Sequence, residues 1–272
     1  MNDNTHMGKD NASRFEVLLS AMHLSDWHYI DKLNIKGRVT VINQCDSEGR
    51  ITDDNGRVKF ISTKDRGLSK SRNMALREAS GEICMFCDND VCYVDDYADR
   101  IVGEFDKHPD ADIIVFFIER PERKAPIFNS AQKMGWLSTM KIFSPEVAFR
   151  RAAVKEAGLW FDESFGAGAE YSMGEENIFL YDAMRAGLKI VYVPVRIAGL
   201  LDTESTWFKG YTKKFFINRG AGYYRMTNMF YHILIWQFAL RKYKLYGSEI
   251  SPIDAIKAMY EGAREYASVS GR

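Results

Sequence analysis

The chain has 272 residues, which is enough for one large α/β domain or for one such domain with a helical extension. Lys and Arg number 37, and Asp and Glu also number 37, so the zero formal charge gives no reason to expect a nucleic-acid partner. No apolar run reaches the roughly 20 residues of a membrane-spanning helix, and the polar residues 1–13 predict a disordered tail rather than a signal peptide.

The first half of the chain alternates between apolar strand-like runs and helical patterns. A helix is predicted around residues 27–33, another with Ser69 as its cap, and a third that starts at Asp95 or Asp96. The third would turn Tyr97, Ile101, Val102 and Phe105 toward the core. Strands are predicted at residues 15–21, 38–43, 58–62, 83–87 and 113–118, with a hairpin or loop at 46–56. This alternation predicts an α/β fold with a mostly parallel sheet and helices on both faces.

The second half is less regular. We predict a loop at 119–135, a strand at 144–150, a short helix at 151–158 and a glycine-rich loop at 161–174. A helix at 175–186 and a last strand at 190–194 follow, and the chain is helical from residue 207. The predicted organisation is a tail at 1–13, an α/β domain at 14–205 and a helical extension at 206–272.

The four cysteines, at positions 45, 84, 87 and 92, indicate free thiols and a cytoplasmic setting. Cys84 and Cys87 have the spacing of half a zinc site. However, an offset of three on a strand places them on opposite faces, and no nearby histidine completes a tetrahedral set. We therefore predict that they are small buried apolar side chains.

Asp88-Asn89-Asp90 directly follows the predicted strand at 83–87. Carboxylates at the carboxyl end of a central strand lie where open α/β sheets bind ligands. Their hard oxygen atoms suit Mn²⁺ or Mg²⁺ held together with a diphosphate. A second D-x-D, Asp110-Ala111-Asp112, precedes its strand, so we interpret it as a solvated turn.

The sequence GLSKSRN at 67–73, GEI at 81–83 and DND at 88–90 together resemble the metal-binding module of family 2 glycosyltransferases. The resemblance implies the GT-A fold, which is Rossmann-like, and an inverting enzyme of the hexosyltransferase type. Its substrates would be a nucleotide-sugar donor, with UDP favoured, and a hydroxyl of a glycan or lipid-linked glycan in surface-polysaccharide synthesis. The resemblance also assigns Asp90, together with Asp88, to the metal, and Asp88 and Asn89 to the nucleotide.

The segment FDESFGAGAEYSMGEEN at 161–177 ends in two glutamates that begin a helix. Acidic residues in a first helical turn are also explained by the helix dipole alone. The segment resembles the family's F-D-E-x-F-G pattern followed by a G-E-D-like element, whose last acid deprotonates the acceptor. This implies Glu176 as the catalytic base, with Glu175 as the alternative.

The base of the nucleotide would bind where the first two strands end, at Ser20, Asn43 and Asp46. Arg72 resembles the arginine that approaches the nucleotide in the family, the alternative being a surface arginine on a helix. This chain departs from the family's usual motifs after both strands. A histidine that many relatives place after the last strand is also missing, and Asp202 either replaces it or is a loop residue.

Residues 207–246 interleave aromatic and basic side chains. Two interpretations remain open: an amphipathic helix on the inner face of the plasma membrane, or a packed helix that could contact another subunit in an oligomer. A sugar nucleotidyltransferase would need a glycine-rich loop after the first strand, and residues 20–26 contain no glycine. No P-loop pattern exists either. A non-catalytic carbohydrate- or nucleotide-binding protein on the same fold remains an alternative.

Overall fold

The computed structural model describes residues 11–201 and 210–271. The chain divides into two compact units. The first consists of Met1–Arg66, Lys70–Trp160 and Ala183–Thr203, and the second of Gly67–Ser69, Phe161–Asp182 and Glu204–Arg272. The boundary predicted between residues 205 and 206 lies outside the described residues, as do residues 1–10 of the predicted tail. Residues 11–14 form a helical turn.

A single sheet forms the centre of the first unit. The strands that run in one direction are β1 (Phe15–Met22), β2 (Arg38–Gln44), β4 (Val58–Thr63), β5 (Ile83–Asp88), β7 (Ile113–Glu119) and β10 (Ile190–Leu200). Those that run against them are β3 (Gly49–Thr52), β6 (Val91–Tyr93), β8 (Gln132–Lys133) and β9 (Val147–Arg150). The strand order within the described residues is β3-β4-β2-β1-β5-β9-β7-β10-β6, and β8 pairs with β10. The predicted α/β class with a mostly parallel sheet is confirmed.

The central strands are buried along almost their whole length, which explains why their sequences are mostly apolar. In β1 all residues from Phe15 to Ala21 are buried, and in β5 all from Ile83 to Cys87. A strand covered on both faces needs no polar alternation. Cys84 and Cys87 are buried free thiols whose pKa values are raised by burial, as expected for inert apolar side chains.

The helices up to residue 185 are α1 (Tyr29–Lys32), α2 (Leu68–Glu78), α3 (Tyr97–Lys107), α4 (Trp136–Thr139), α5 (Arg151–Glu156) and α6 (Glu175–Arg185). The predicted start and buried face of α3 are confirmed, since Asp96 is its N-cap and the four predicted apolar residues are buried. The predicted cap of α2 is wrong. The helix begins at Leu68, and the Ser69 hydroxyl donates a hydrogen bond to the Phe165 carbonyl at 2.6 Å.

Two strand boundaries differ from prediction by more than one residue, and each of these differences involves a proline. The predicted strand at 144–150 is a 3₁₀ turn at Ser144–Glu146 followed by β9, because Pro145 has no N–H to donate to a sheet. Conversely, β10 continues past Pro194 to Leu200. Its pairing with β7 shifts register between Tyr192 and Arg196, and this irregularity accommodates the proline.

The second unit contains the C-terminal helices α7 (Lys213–Met226), α8 (Tyr231–Arg241), α9 (Tyr243–Tyr246) and α10 (Pro252–Ser270). The Thr212 hydroxyl caps α7 by accepting a bond from Phe215 N, and Ser251 caps α10 in the same way. Two glycines let α7 and α10 touch through their backbones. A Cβ on Gly220 would lie 1.8 Å from the Met259 carbonyl oxygen, and one on Gly262 would lie 1.9 Å from that of Ile217.

Candidate functional site

The D-x-D segment lies at the carboxyl end of β5, where Asp88 is the last residue of the strand and Asn89-Asp90 form the turn to β6. The hydroxyl of Tyr29 donates to the Asn89 carbonyl at 3.0 Å, and Leu201 N donates to the Asp90 carbonyl at 2.8 Å. The backbone of the turn is therefore held from two sides. Asp202, considered from the sequence as a metal ligand, lies outside the described residues.

Asp88 forms an ion pair with Arg72, whose Nη2 lies 3.1 Å from the Asp88 Oδ1. The Arg72 side chain is only 2% exposed, so the alternative of a surface arginine is wrong. Helix α2 brings Arg72 to this edge of the sheet, and the neighbouring Ser71 hydroxyl donates to that of Ser20 on β1 at 2.9 Å. Ser20 is itself in register with Asp88. The structure thus brings three predicted nucleotide-binding residues together.

Asp90 has a different environment from Asp88. Its Oδ1 is buried and has no hydrogen-bond partner. Burial raises the pKa of this carboxyl group, and the negative charge of Asp88 raises it further. A buried carboxylate oxygen without a donor is costly unless it is protonated or coordinates a cation.

These residues fit a hard divalent cation. Among the described residues, no group of three His, Cys, Asp or Glu side chains could hold a metal ion. Mg²⁺ is commonly held by one or two carboxylates together with substrate phosphates and water, so a complete protein cage is not required. Asp90, with Asp88 beside it, supplies such carboxylates.

The other predicted base-binding residues have protein partners. The side-chain amide of Asn43 accepts from Leu24 N at 2.9 Å and donates to the Leu24 carbonyl at 3.0 Å. It therefore fixes the loop that follows β1. The Asp46 side chain is mostly exposed, and its Oδ1 lies 2.6 Å from Arg66 Nη2. Neither partner could be predicted from spacing.

The second D-x-D is a structural turn, as predicted. It precedes β7, which runs in the same direction as β5, so it lies at the opposite edge of the sheet from Asp88. The Asp112 carboxylate accepts a bond from Lys189 N at 2.8 Å, and Asp110 lies 3.7 Å from the Lys189 ammonium. These contacts fix the start of β10.

In the second unit, Glu175 and Glu176 begin α6 as predicted, but their surroundings differ. Glu175 is buried against Gly166, where an added Cβ would lie 3.2 Å from the Glu175 Cδ. Gly166 has a φ of +102°, so a larger residue would be both strained and crowded. Glu176 is half-buried and lines a cavity of about 100 Å³.

Helix α7 supplies one wall of this cavity, which sequence reasoning missed. Asn218 is hydrogen-bonded to the Ser172 hydroxyl, and the Arg219 guanidinium packs 4.3 Å from the Phe238 ring. No sequence signal connects these residues with Glu176, since they lie some forty positions away in a segment rich in aromatic and basic residues. The lining residues are Met173, Gly174, Glu176, Asn177, Asn218, Arg219, Gly222, Tyr223 and Met226.

Asp162 anchors the glycine-rich loop to the C-terminal helices. Its Oδ2 accepts from Arg225 Nε at 2.7 Å and from the Tyr266 hydroxyl at 2.9 Å. Arg225 also donates to both carboxylate oxygens of Asp182. Burial would raise the pKa of Asp162, but the bonds from Arg225, Ser164 N and Tyr266 outweigh it, so the pKa is lowered. The segment that precedes the two glutamates is thus held by an ionised, largely buried network.

Residues 42–164 match the family model described as "Glycosyl transferase family 2". This segment belongs to glycosyltransferase family 2. The matched region contains Asp88, Asp90 and Arg72 and ends shortly after Asp162, before the two glutamates of α6. The prediction of a family 2 glycosyltransferase, made from the sequence, is confirmed. A comparison with curated protein sequences found no match.

The fold of this glycosyltransferase is also that of solved GT-A structures. S. aureus TarS 1–349 in complex with UDP-GlcNAc has a TM-score of 0.64 at 15% identity, covering 95% of this chain and 92% of that one. The mannosyltransferase PcManGT from Pyrobaculum calidifontis, with GDP-Man and Mn²⁺, has a TM-score of 0.52 at 15% identity over 95% and 76%. GalNAc-T7 with UDP, GalNAc and Mn²⁺ gives 0.53 at 15% identity over 94% and 57%. The predicted GT-A fold is confirmed.

Proposed function

We propose that this glycosyltransferase moves a sugar from a UDP-sugar to a hydroxyl of a glycan or lipid-linked glycan in surface-polysaccharide synthesis, with inversion at the anomeric carbon. The observation that carries the proposal is the buried, unpartnered Oδ1 of Asp90 beside Asp88, inside the family-matched segment. Such an oxygen suits a cation held with a donor diphosphate. The TarS structure with UDP-GlcNAc supports the choice of a UDP-sugar.

The donor nucleotide is assigned to the edge of the sheet where β1, β2 and β5 end. Asp88 and Asn89 would bind the ribose side, with Asp88 oriented by the buried Arg72. The Arg72 guanidinium offsets the charge that two neighbouring carboxylates would otherwise create. Ser20, Asn43 and Asp46 are assigned to the nucleobase. Asn43 would act indirectly, because its amide fixes the loop that follows β1.

The cofactor is assigned as Mn²⁺ or Mg²⁺, with Asp90 as its principal protein ligand and Asp88 beside it. When bound, such an ion offsets the negative charge that grows on the diphosphate as the glycosidic bond breaks. Two of the solved structures compared above contain Mn²⁺, which supports this assignment. Asp90 must be ionised to act as a ligand, and its raised pKa therefore limits metal binding at low pH.

Glu176 is assigned as the base. Its carboxylate would take the proton from the acceptor hydroxyl as that oxygen bonds to the anomeric carbon and the bond to the diphosphate breaks. Its position in a cavity supports Glu176 over Glu175, which is buried against Gly166. Direct attack from the side opposite the leaving group inverts the anomeric configuration. The free thiols support a cytoplasmic setting.

Calorimetric titration of UDP in the presence of Mn²⁺ tests the donor assignment. We expect the wild type to bind UDP, and Asp90→Ala to lose the part of the affinity that depends on Mn²⁺. Asp110→Ala, in the exposed D-x-D turn, is the matched control and should bind as the wild type does. If Asp90→Ala keeps its full Mn²⁺-dependent affinity for UDP, the metal does not bind at Asp90.

A transfer assay with the same donor and a glycan acceptor tests the base. Glu176→Gln should keep donor affinity and lose transfer by about a hundredfold or more, the usual contribution of a positioned base. Glu170→Gln, exposed in the neighbouring loop, should retain transfer. Full turnover by Glu176→Gln would assign the proton transfer to Glu175. Donor binding by the wild type without transfer or hydrolysis would favour a non-catalytic binding protein.

A further inference from the structure

Helix α8 and the turn before it expose a row of large apolar side chains. We call Met229, Phe230, Ile233, Trp236 and Leu240 the apolar face; each is between 49% and 73% exposed. Spacings of three and four place Ile233, Trp236 and Leu240 on one side of the helix. Scattered apolar residues are common on protein surfaces, but a contiguous row is typical of an interaction site.

The opposite side of α8 belongs to the core of the second unit. Leu234, Ile235 and Ala239 are buried there. Phe238, Tyr246 and Phe216 form a cluster of aromatic rings against it, with centroids 5.0 to 6.2 Å apart. The helix is therefore packed on one side, and among the described residues the apolar face remains open to solvent.

The charged residues in the same stretch of sequence as the apolar face have one sign. Residues 227–247 contain no aspartate or glutamate. Arg241, Lys242 and Lys244 all lie exposed at the end of α8 and in α9. A partner that covers the apolar face would therefore meet three cations without any acidic residue from this stretch.

We propose that the apolar face and these three cations form a docking surface for an anionic lipid membrane. In this arrangement α8 lies in the plane of the bilayer surface, with its apolar side chains at the level of the headgroups and the cations near lipid phosphates. No helix in the described ranges is long and apolar enough to cross a bilayer. The proposal does not depend on the glycosyltransferase reaction.

Charge complementarity favours lipid over a second copy of the chain. In a symmetric dimer built on the apolar face, each patch would face its own equivalent. The three cations of one copy would meet those of the other if the two helices ran parallel, or the start of the other α8 if they ran antiparallel. In either case residues 227–247 offer no carboxylate to pair with them. An anionic bilayer supplies both the apolar layer and the opposite charge.

Co-sedimentation of the full chain with vesicles tests the proposal. We expect binding to vesicles that contain phosphatidylglycerol, weaker binding to pure phosphatidylcholine, and a loss of binding as salt is added. Ile233→Glu should abolish binding. Ile253→Glu on α10 is the matched control, since Ile253 is also a helical isoleucine, with 65% exposure against 63% for Ile233. It should bind as the wild type does.

Neutralising the cations gives a second measurement. Lys242→Gln and Lys244→Gln should each lower the partition coefficient by roughly fivefold, the factor expected for one basic residue near an anionic surface. Equal binding by wild type and Ile233→Glu, or equal binding to both vesicle types, would overturn the proposal. The proposal would also be overturned if the wild type does not bind vesicles but forms a dimer, measured by sedimentation, that Ile233→Glu dissociates.

Discussion

Asp88 and Asp90 are two residues apart and chemically identical, but the structure gives them opposite electrostatic environments. Asp88 is paired with a buried guanidinium, whereas Asp90 has a buried oxygen without any donor. Burial and the nearby charge of Asp88 disfavour the ionised form of Asp90 and raise its pKa.

This difference predicts that two isosteric substitutions have opposite effects on the stability of the metal-free protein. The folded-state pKa of Asp90 lies above its unfolded value, so at neutral pH its ionisation destabilises the fold. This cost begins to fall as the pH drops below the raised pKa and is gone only below the unfolded-state pKa. Asp90→Asn should therefore raise the melting temperature at pH 7. Asp88→Asn removes the charge that balances Arg72 and should lower stability by about 1–3 kcal/mol.

Thermal unfolding in the presence of a chelator measures both variants under the same conditions. The stabilising effect of Asp90→Asn should shrink as the pH is lowered and vanish below the unfolded-state pKa of an aspartate. Shifts of the same sign and size in the two variants at pH 7 would contradict the assigned environments. Both variants should still lose Mn²⁺-dependent binding of UDP.

Sequence reasoning located the D-x-D and its neighbouring arginine because their positions follow from strand polarity. It could not find the partner of Asn43. The Asn43 side chain forms hydrogen bonds with the backbone of Leu24, nineteen residues earlier, and these can form only when β1 and β2 have paired. Nor could it separate Glu175 from Glu176. Adjacent residues on a helix point in different directions, and what each one meets is decided by other segments.

At the scale of elements, apolar runs predicted the strands well wherever both faces are covered. The strand boundaries in error by more than one residue fell at Pro145 and Pro194. Proline lacks the N–H of a sheet residue, so it normally marks an end. At Pro145 the strand begins only after the proline, while at Pro194 a shift in register lets β10 continue.

The crossing of α7 and α10 depends on glycine, and this leads to a prediction. Gly220→Ala should destabilise the protein by about 3 kcal/mol or more, because its Cβ would lie 1.8 Å from the Met259 carbonyl oxygen and would separate the helices. Gly103→Ala on α3, where nothing lies within 4 Å of the added Cβ, should instead stabilise by about 0.5–1 kcal/mol.

Denaturant unfolding followed by circular dichroism compares the two variants. Gly103→Ala controls for the general effect of replacing a helical glycine by alanine, which is favourable. A Gly220→Ala variant as stable as Gly103→Ala would show that the helices do not touch at this residue. The prediction could not be made from sequence, since helix propensity alone would favour alanine at both positions.

At the scale of the whole molecule, ligand binding is coupled to stability. A ligand that binds only the folded state stabilises it by about 2.7 kcal/mol at a concentration about 100 times its Kd. We expect UDP with Mn²⁺ to raise the melting temperature more than UDP with a chelator does. GDP with Mn²⁺ should give a smaller shift than UDP.

A thermal-shift series with UDP, GDP and their sugar derivatives checks this. A shift that is identical with Mn²⁺ and with chelator would contradict metal-dependent binding. A larger shift for GDP would mean that the donor is a GDP-sugar. The metal site would be unaffected, because the proposal assigns the nucleobase to Ser20, Asn43 and Asp46 and the diphosphate to the carboxylates.

The sequence by itself determined the α/β class and the position of the D-x-D, because apolar periodicity and strand polarity are local properties of the chain. The family followed from the resemblance of its motifs to those of family 2 glycosyltransferases. The tertiary structure alone decided which carboxylate is paired and which is left with an unsatisfied oxygen. It also decided that Arg225 and Tyr266 bind Asp162, and which side of α8 is exposed. These depend on contacts between residues distant along the chain, and neither propensity nor spacing encodes which of them form.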